Sequence, residues 1–315
     1  PVSVGKCGAC HKAVEGEEHK FELAREEKDL CTFCHEPEEK QAVVHKPYGS
    51  GGCTGCHDPH GSKIKGLLVE ESIQKLCATC HTPKDMLVSA HKPVAAGECL
   101  KCHEPHQGPN PKLLVAAGAD LCAICHGEMV KGIMEKANIH EPVKKDCMEC
   151  HLGHTAANPK LLKKAGPELC SGCHEEMEKN LKEAAVVHGP LQEGKEGCPA
   201  CHDPHASAAP GLVKAPSAKA LCLSCHNRTI NVPKGGRQIA NMAKEIGTAQ
   251  FPHGPVAKGQ CSGCHDPHGS AQVNLLAEKY TTDIYVRFKE DDFALCFICH
   301  DRDLVLESPT EGSTL

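Results

Sequence analysis

Apolar residues in this chain fall in short, spaced clusters. A Leu-Leu pair recurs at Leu67-Leu68, Leu113-Leu114, Leu161-Leu162 and Leu275-Leu276. A single leucine stands just before a cysteine at Leu30, Leu76, Leu121, Leu169, Leu221 and Leu295. Helix formers gather in segments 36–43, 120–136 and 175–185, and Pro167-Glu168 reads as a helix start. Short helices are expected there and through the leucine-preceded cysteines. In segment 278–292, Tyr280, Ile284, Val286 and Phe288 are interleaved with polar residues, the pattern of a strand or hairpin. With 29 Gly and 22 Pro, the rest predicts turns and coil. No apolar stretch approaches the ~20 residues of a membrane helix.

Composition changes what these clusters can pack against. The chain of 315 residues has no Trp, 6 Phe and 3 Tyr, but 24 Cys. Every cysteine belongs to a Cys-x-x-Cys-His motif. The first six pairs are Cys7 and Cys10, Cys31 and Cys34, Cys53 and Cys56, Cys77 and Cys80, Cys99 and Cys102, Cys122 and Cys125. The last six are Cys147 and Cys150, Cys170 and Cys173, Cys198 and Cys201, Cys222 and Cys225, Cys261 and Cys264, Cys296 and Cys299. The motifs end on His11, His35, His57, His81, His103, His126, His151, His174, His202, His226, His265 and His300. This is the attachment signature of c-type haem, in which two thiols add to the vinyl groups and the histidine ligates iron. Zinc sites or a disulfide framework would use the cysteines but would not need histidine at the next position twelve times. Twelve covalent haem c groups are therefore expected. Each would have about 26 residues of protein (315/12), too few to fold around side chains alone.

The motifs alternate in kind. Those preceded by leucine are called B here. The others, A, follow Lys6, Gly52, Glu98, Asp146, Gly197 and Gln260. Successive A histidines lie 46, 46, 48, 51 and 63 residues apart, and B histidines 46, 45, 48, 52 and 74. The chain thus reads as one array of six two-haem repeats, about 1–40, 41–86, 87–135, 136–183, 184–248 and 249–315, with no division into independent domains. The last two intervals carry insertions, at 231–248 (rich in Gly and Lys) and 278–292. The expected fold is mostly coil with short α-helices and little β, an elongated multihaem array whose core is haem. The Leu-Leu pairs read as packing on haem faces.

Of 23 histidines, 11 remain after the proximal 12. Six follow A motifs: His60, His106, His154, His205 and His268 three residues on, and His19 eight residues on. Five precede A motifs in a His-x-Pro setting: His45, His91, His140, His188 and His253. Histidines in register suit distal iron ligation. None of the 6 Met recurs at a repeat position, and Met129, Met134 and Met177 read as helix packing. Iron held by two imidazoles has no open position and, lacking Met, a low potential. That points to an electron carrier rather than an enzyme, with any catalysis confined to a terminal haem. Eleven candidates for twelve irons leave one short. If each His-x-Pro histidine serves the haems after it, the first repeat lacks a ligand; if it serves the B haem before it, the iron at His300 does.

Formal charge is −6, from 35 Lys and Arg against 41 Asp and Glu. Lys144-Lys145 and Lys163-Lys164 read as solvated surface, and no basic patch with aromatics suggests nucleic acid. Haem is attached to such motifs outside the cytoplasm, so an exported protein whose leader has been removed is expected.

The Cys-x-x-Cys-His-(Asp/Glu)-Pro-His run at His57–His60, His103–His106, His202–His205 and His265–His268, followed by Leu-Cys-x-x-Cys-His, resembles the paired-CxxCH multihaem cytochromes. These include decahaem conduits seated in outer-membrane porins and large secreted cytochromes. The resemblance implies electron transfer in the periplasm, at the outer membrane or outside the cell. Implied partners are other redox proteins, a porin, or copies of the chain in a haem filament. Segment 296–304 resembles an internal stretch of longer relatives, so a processed C-terminus is expected.

A core made of porphyrin gives the first prediction. The haem-free chain will be expanded, with no cooperative melt in calorimetry. Native-like compactness without haem would contradict it.

Overall fold

The computed structural model describes residues 2–36, 39–82, 87–192, 196–232, 237–281, 283 and 285–303. The described chain is short helices, 3-10 turns and strands of two or three residues, as expected. Two compact units make it up, residues 1–131 with 141–164, and residues 132–140 with 165–315.

Three pieces recur. Helices run through the B motifs, as at Glu27–Thr32, Ile73–Ala78, Gly118–Met134, Gly166–Ser171, Ala218–Cys225 and Ala294–Phe297. Ser72 and Ser217 cap two of them by accepting from Lys75 and Ala220 N–H, each cap contributing about 1 kcal/mol. The A motifs fold as single 3-10 turns, as at Cys53–Gly55 and Cys99–Lys101. The His-x-Pro segments form one-turn helices such as Lys46–Gly49, Lys92–Ala95 and Gly254–Ala257, each with its proline in the first turn, where its fixed φ and missing N–H fit.

Two-residue antiparallel ladders tie each repeat from the second onward to the next. Val43–Val44 pairs with Gln107–Gly108, Ser89–Ala90 with Thr155–Ala156, Asn138–Ile139 with Ala206–Ser207, and Val186–Val187 with Gly269–Ser270. In every case the strand before a His-x-Pro histidine meets the strand after the distal candidate of the following repeat. Within a repeat, the loop after each A motif closes on itself through bridges such as His57–Leu68 and His103–Leu114. Two successive left-handed residues turn that loop: Lys112 and Leu113 (φ 59° and 57°), Lys160 and Leu161 (57° and 59°), Asn274 and Leu275 (62° and 57°).

Side chains bury little of one another. The buried hydrophobic residues are Ala156, Ala206 and Ala209, and among the described residues no large side chain is fully buried. Small residues fill the ladders, while leucines and valines keep faces that protein atoms do not cover.

The expected helices over 120–136 and 175–185 are Gly118–Met134, with a break at His126, and Glu175–Glu183. Two expectations are corrected. Segment 36–43 is not a helix in its described residues; Val43 and Val44 are drawn into a ladder, and the Gln107 side chain reaches both Gln41 N–H and Glu39 C=O at 3.1 and 2.9 Å. Tertiary pairing overrides the local preference. Segment 278–292 forms no strand among its described residues. Phe288 and Tyr280 turn onto Phe293, with ring centres at 5.5 and 6.0 Å, and Lys279 closes the loop on Asp292 at 2.7 Å. Ile284 lies outside the described residues. The insertion at 231–248 holds a small ladder, Ile230–Asn231 with Gln238–Ile239, and a helix, Met242–Thr248, neither of which its Gly and Lys content signalled.

Repeats also approach through glycine. A Cβ on Gly51 (φ +78°) would lie 2.5 Å from Lys28 Cα on the preceding B helix. Gly51→Ala is expected to destabilise the haem-loaded protein by about 2–4 kcal/mol through left-handed strain and overpacking. Lys160→Gly relieves a left-handed residue and should stabilise by about 0.5–1 kcal/mol. Thermal melts of the two variants check both signs.

Candidate haem-binding sites

Each motif is built by a turn. In the B helices and A turns alike, the histidine N–H donates to the first cysteine's carbonyl, as in His35 to Cys31 and His57 to Cys53, both 2.9 Å. The second cysteine's N–H turns back to the same carbonyl. Among A motifs, Cys10 donates to Cys7 at 3.1 Å, Cys150 to Cys147 at 3.3 Å and Cys264 to Cys261 at 3.2 Å. Among B motifs, Cys34 donates to Cys31 at 3.2 Å, Cys173 to Cys170 at 3.1 Å and Cys299 to Cys296 at 3.3 Å. Residues i, i+3 and i+4 then share one face, so two thiols and an imidazole lie together. None of the 24 cysteines is in a disulfide, and the second thiols Cys34, Cys173 and Cys299 are exposed while Cys10, Cys150 and Cys264 are half-buried. Among the described residues, no group of three or more His, Cys, Asp or Glu gathers as a bare metal site. The donor set is two thiols and one imidazole per motif, which suits haem c and falls short of zinc's four ligands.

The thiols also show the order of the motifs in space. The first cysteine of four B motifs lies beside the first cysteine of the next A motif: Cys31 by Cys53, Cys77 by Cys99, Cys122 by Cys147, Cys222 by Cys261. Second cysteines of A and B motifs neighbour each other within a repeat, as Cys56 does Cys80, Cys102 does Cys125 and Cys201 does Cys225. The motifs therefore follow in chain order through each unit. Burial, and then the neighbouring thiol, raises the Cys122 thiol to about 11.

The remaining histidines meet the proximal ones in pairs. Ring centres lie 6.1 Å apart for His45 and His81, 6.3 Å for His91 and His126, 6.2 Å for His140 and His174, 6.3 Å for His188 and His226, and 6.1 Å for His253 and His300. Every His-x-Pro histidine thus faces the B histidine of its own repeat. The A series is staggered by one repeat. His11 faces His60 at 5.9 Å, His57 faces His106 at 6.2 Å, His103 faces His154 at 6.0 Å, and His202 faces His268 at 6.1 Å. Such rings are too far apart for face-to-face contact. An iron with a nitrogen about 2.0 Å away on each side, and each nitrogen about 1.1 Å from its ring centre, spaces two imidazole centres by about 6.2 Å. The residues present fit haem iron between them.

The geometry sets each His-x-Pro histidine opposite the B motif that follows it in sequence. Among the described residues, no histidine ring faces His35, whose repeat has no His-x-Pro segment within the sequence. His265 and His19 also have no facing histidine among the described residues.

Carbonyls fix the other ring nitrogen. The Nδ1 of His57, His103, His151, His202 and His265 lies 2.6, 3.0, 2.9, 2.7 and 2.9 Å from the carbonyls of Gly66, Lys112, Lys160, Gly211 and Asn274. These carbonyls belong to the left-handed pairs. On the other series, His45, His91 and His140 reach Pro105, Gly153 and Pro204 carbonyls at 2.8, 3.2 and 2.9 Å. A ring that donates from Nδ1 presents Nε2 as the acceptor for metal. Burial lowers the His188, His226 and His268 pKa values, favouring the neutral form that ligates. The Asp of the Asp-Pro-His runs has a structural part. Asp58, Asp203 and Asp266 each accept from the backbone N–H of His60, His205 and His268 at 2.9 Å.

The sequence reading missed the carbonyl partners. Their signal was Gly66, Gly211 and Asn274, residue types that tolerate positive φ, recurring nine residues after an A histidine. It also read the Leu-Leu pair only as packing. The first leucine is half of the turn, and in the fifth repeat Leu212-Val213 takes the same place.

No curated protein matches the chain. A family profile described as a doubled CXXCH motif matches residues 1–40, 45–86, 91–131, 140–179, 188–231 and 253–304. These six matches span most of the sequence and coincide with the six A/B pairs. No helix among the described residues is long and apolar enough to cross a membrane. The chain belongs to the doubled-CXXCH-motif family, as a multihaem c-type cytochrome that transfers electrons.

Proposed function

We propose that the chain carries electrons along twelve covalent haem c groups, most held by a histidine on each face, in extracellular or trans-periplasmic respiration. The near-constant 5.9–6.3 Å between nine imidazole pairs carries this reading. Haem c supplies one-electron iron chemistry when bound. The protein's own residues do four things. The thiols fix each macrocycle, the paired imidazoles close both axial positions, the carbonyls on Nδ1 strengthen the imidazoles as donors, and the packed motifs keep neighbouring sites close. Two neutral imidazoles per iron, with no Met, favour low potentials. The redox partners would be other cytochromes, further copies, or carriers met at an outer-membrane porin.

A second reading, a subunit of an extracellular haem filament, draws on the stagger. In the A pairs the iron takes a histidine from the following repeat, so the iron at His265 would take one from outside these six repeats. A second copy or a further repeat of the same chain would supply it. Electron microscopy of the native secreted protein separates the readings, with long polymers favouring the filament and single particles at a porin the conduit.

Carbon monoxide tests the axial ligation. The reduced protein will not bind it at irons held between the nine facing imidazole pairs. His106→Ala will add one binding site per chain and one high-spin ferric signal. Binding at most haems of the unaltered protein would overturn the reading.

A further inference from the structure

Five His-x-Pro segments hold histidines that face B haem positions. The residue after proline is Val94, Val143, Leu191 and Val256 in four of them. In the second repeat it is Tyr48, to which the repeat logic assigns no part. Tyr48 lies on the one-turn helix Lys46–Gly49. Its ring does not turn toward the B site of its own repeat. It stacks on His106, with ring centres 4.8 Å apart and planes 24° apart. His106 is the imidazole that faces His57.

That pair is the unusual one. His57 and His106 keep the common spacing, 6.2 Å, but their planes are tilted by 45°. The A pairs His11–His60, His103–His154 and His202–His268 are tilted by 10°, 21° and 11°. The five B pairs lie between 14° and 19°. Of these nine pairs, the tilted one is the one with an aromatic ring stacked on a member. His57 is held as in other repeats, through Nδ1 on the Gly66 carbonyl. The backbone of His106 is held too, by His45 N–H on its carbonyl at 2.8 Å. His106 differs in two ways: Glu104 stands where Asp58 and Asp266 hold His60 and His268, and an aromatic ring rests on it. His154, which follows Leu152 instead of an aspartate, still pairs at 21°, so the aromatic ring is the difference that goes with the tilt. An aromatic stack of this kind is worth about 0.5–1.5 kcal/mol, enough to choose among imidazole rotations, since a terminal sp³–sp² torsion is broad.

Ring orientation matters to iron. Two parallel imidazoles donate into the same iron d orbital and split it from its partner. Tilted imidazoles spread their donation over both and reduce the splitting. The low-spin ferric signal then moves to a larger maximum g value, and the potential shifts with the changed donation. Hydrogen bonding and burial around axial ligands act on the same quantity.

We propose that Tyr48 is a positioning residue for the haem anchored by Cys53 and Cys56, holding the His106 imidazole tilted from His57 and giving that site a spectrum and potential unlike its neighbours. The proposal rests on the paired-imidazole reading above.

Electron paramagnetic resonance of the oxidised, haem-loaded protein tests it, with Tyr48→Val and Tyr48→Phe beside the unaltered chain and haem content checked by mass. The unaltered protein should show one low-spin component, one haem of the set, at a larger maximum g than the rest. Tyr48→Val, which installs the residue of the third, fourth and sixth repeats, should move that component into the main envelope and shift one potential in a redox titration. Tyr48→Phe should keep both features. An unchanged spectrum in Tyr48→Val overturns the proposal, and so does loss of the component in Tyr48→Phe. Failure of the underlying ligation looks different: the haem is high-spin in the unaltered protein, and His106→Ala changes nothing.

Discussion

The separation between paired imidazoles is the constraint on which the rest of this structure depends. One ring of each pair is fixed beside its two cysteines by the turn of the motif. The other must arrive from elsewhere at about an iron's width plus two bonds. In the B series it comes from the same repeat, and in the A series from the next. Ladders, left-handed turns and glycine contacts are the means of bringing it there. The ladder between Val43–Val44 and Gln107–Gly108 sets His45 and His106 side by side, one for each haem position of the second repeat. A single short pairing thus orients two imidazoles at once.

The absence of large buried side chains among the described residues follows from the same constraint. A small repeat cannot bury enough of its own apolar surface to offset chain entropy. Here many leucine, valine and phenylalanine faces stay uncovered by protein atoms instead. Neighbouring repeats are coupled by backbone hydrogen bonds more than by side-chain packing. The Nδ1 contacts of His45 and His91 extend this coupling, since their acceptors, Pro105 and Gly153, belong to the following repeat.

Much of the site was legible in the sequence because covalent chemistry leaves a rigid signature. Cys53, Cys56 and His57 announce themselves by spacing, and the recurrence of His45 and His106 in register marks them as more than surface residues. Which iron each serves was not legible. His106 lies three residues from His103 yet faces His57, and only tertiary stagger decides that. Helix propensity over 36–43 misled because Val43 and Val44 gain more from pairing with Gln107 and Gly108 than from a helical turn. Alternation over 278–292 misled because Phe288 and Tyr280 find Phe293 rather than a neighbouring strand. Tyr48 was invisible for another reason: three motifs lie between it and its partner in sequence, and a lone tyrosine carries no periodicity.

Iron positions in the haem-loaded protein, located by anomalous X-ray scattering or by electron cryomicroscopy, test the stagger most directly. The iron anchored by Cys53 and Cys56 is expected between His57 and His106, about 2.0 Å from a nitrogen of each. An iron found instead between His106 and His103, its own repeat's proximal histidine, would contradict the stagger.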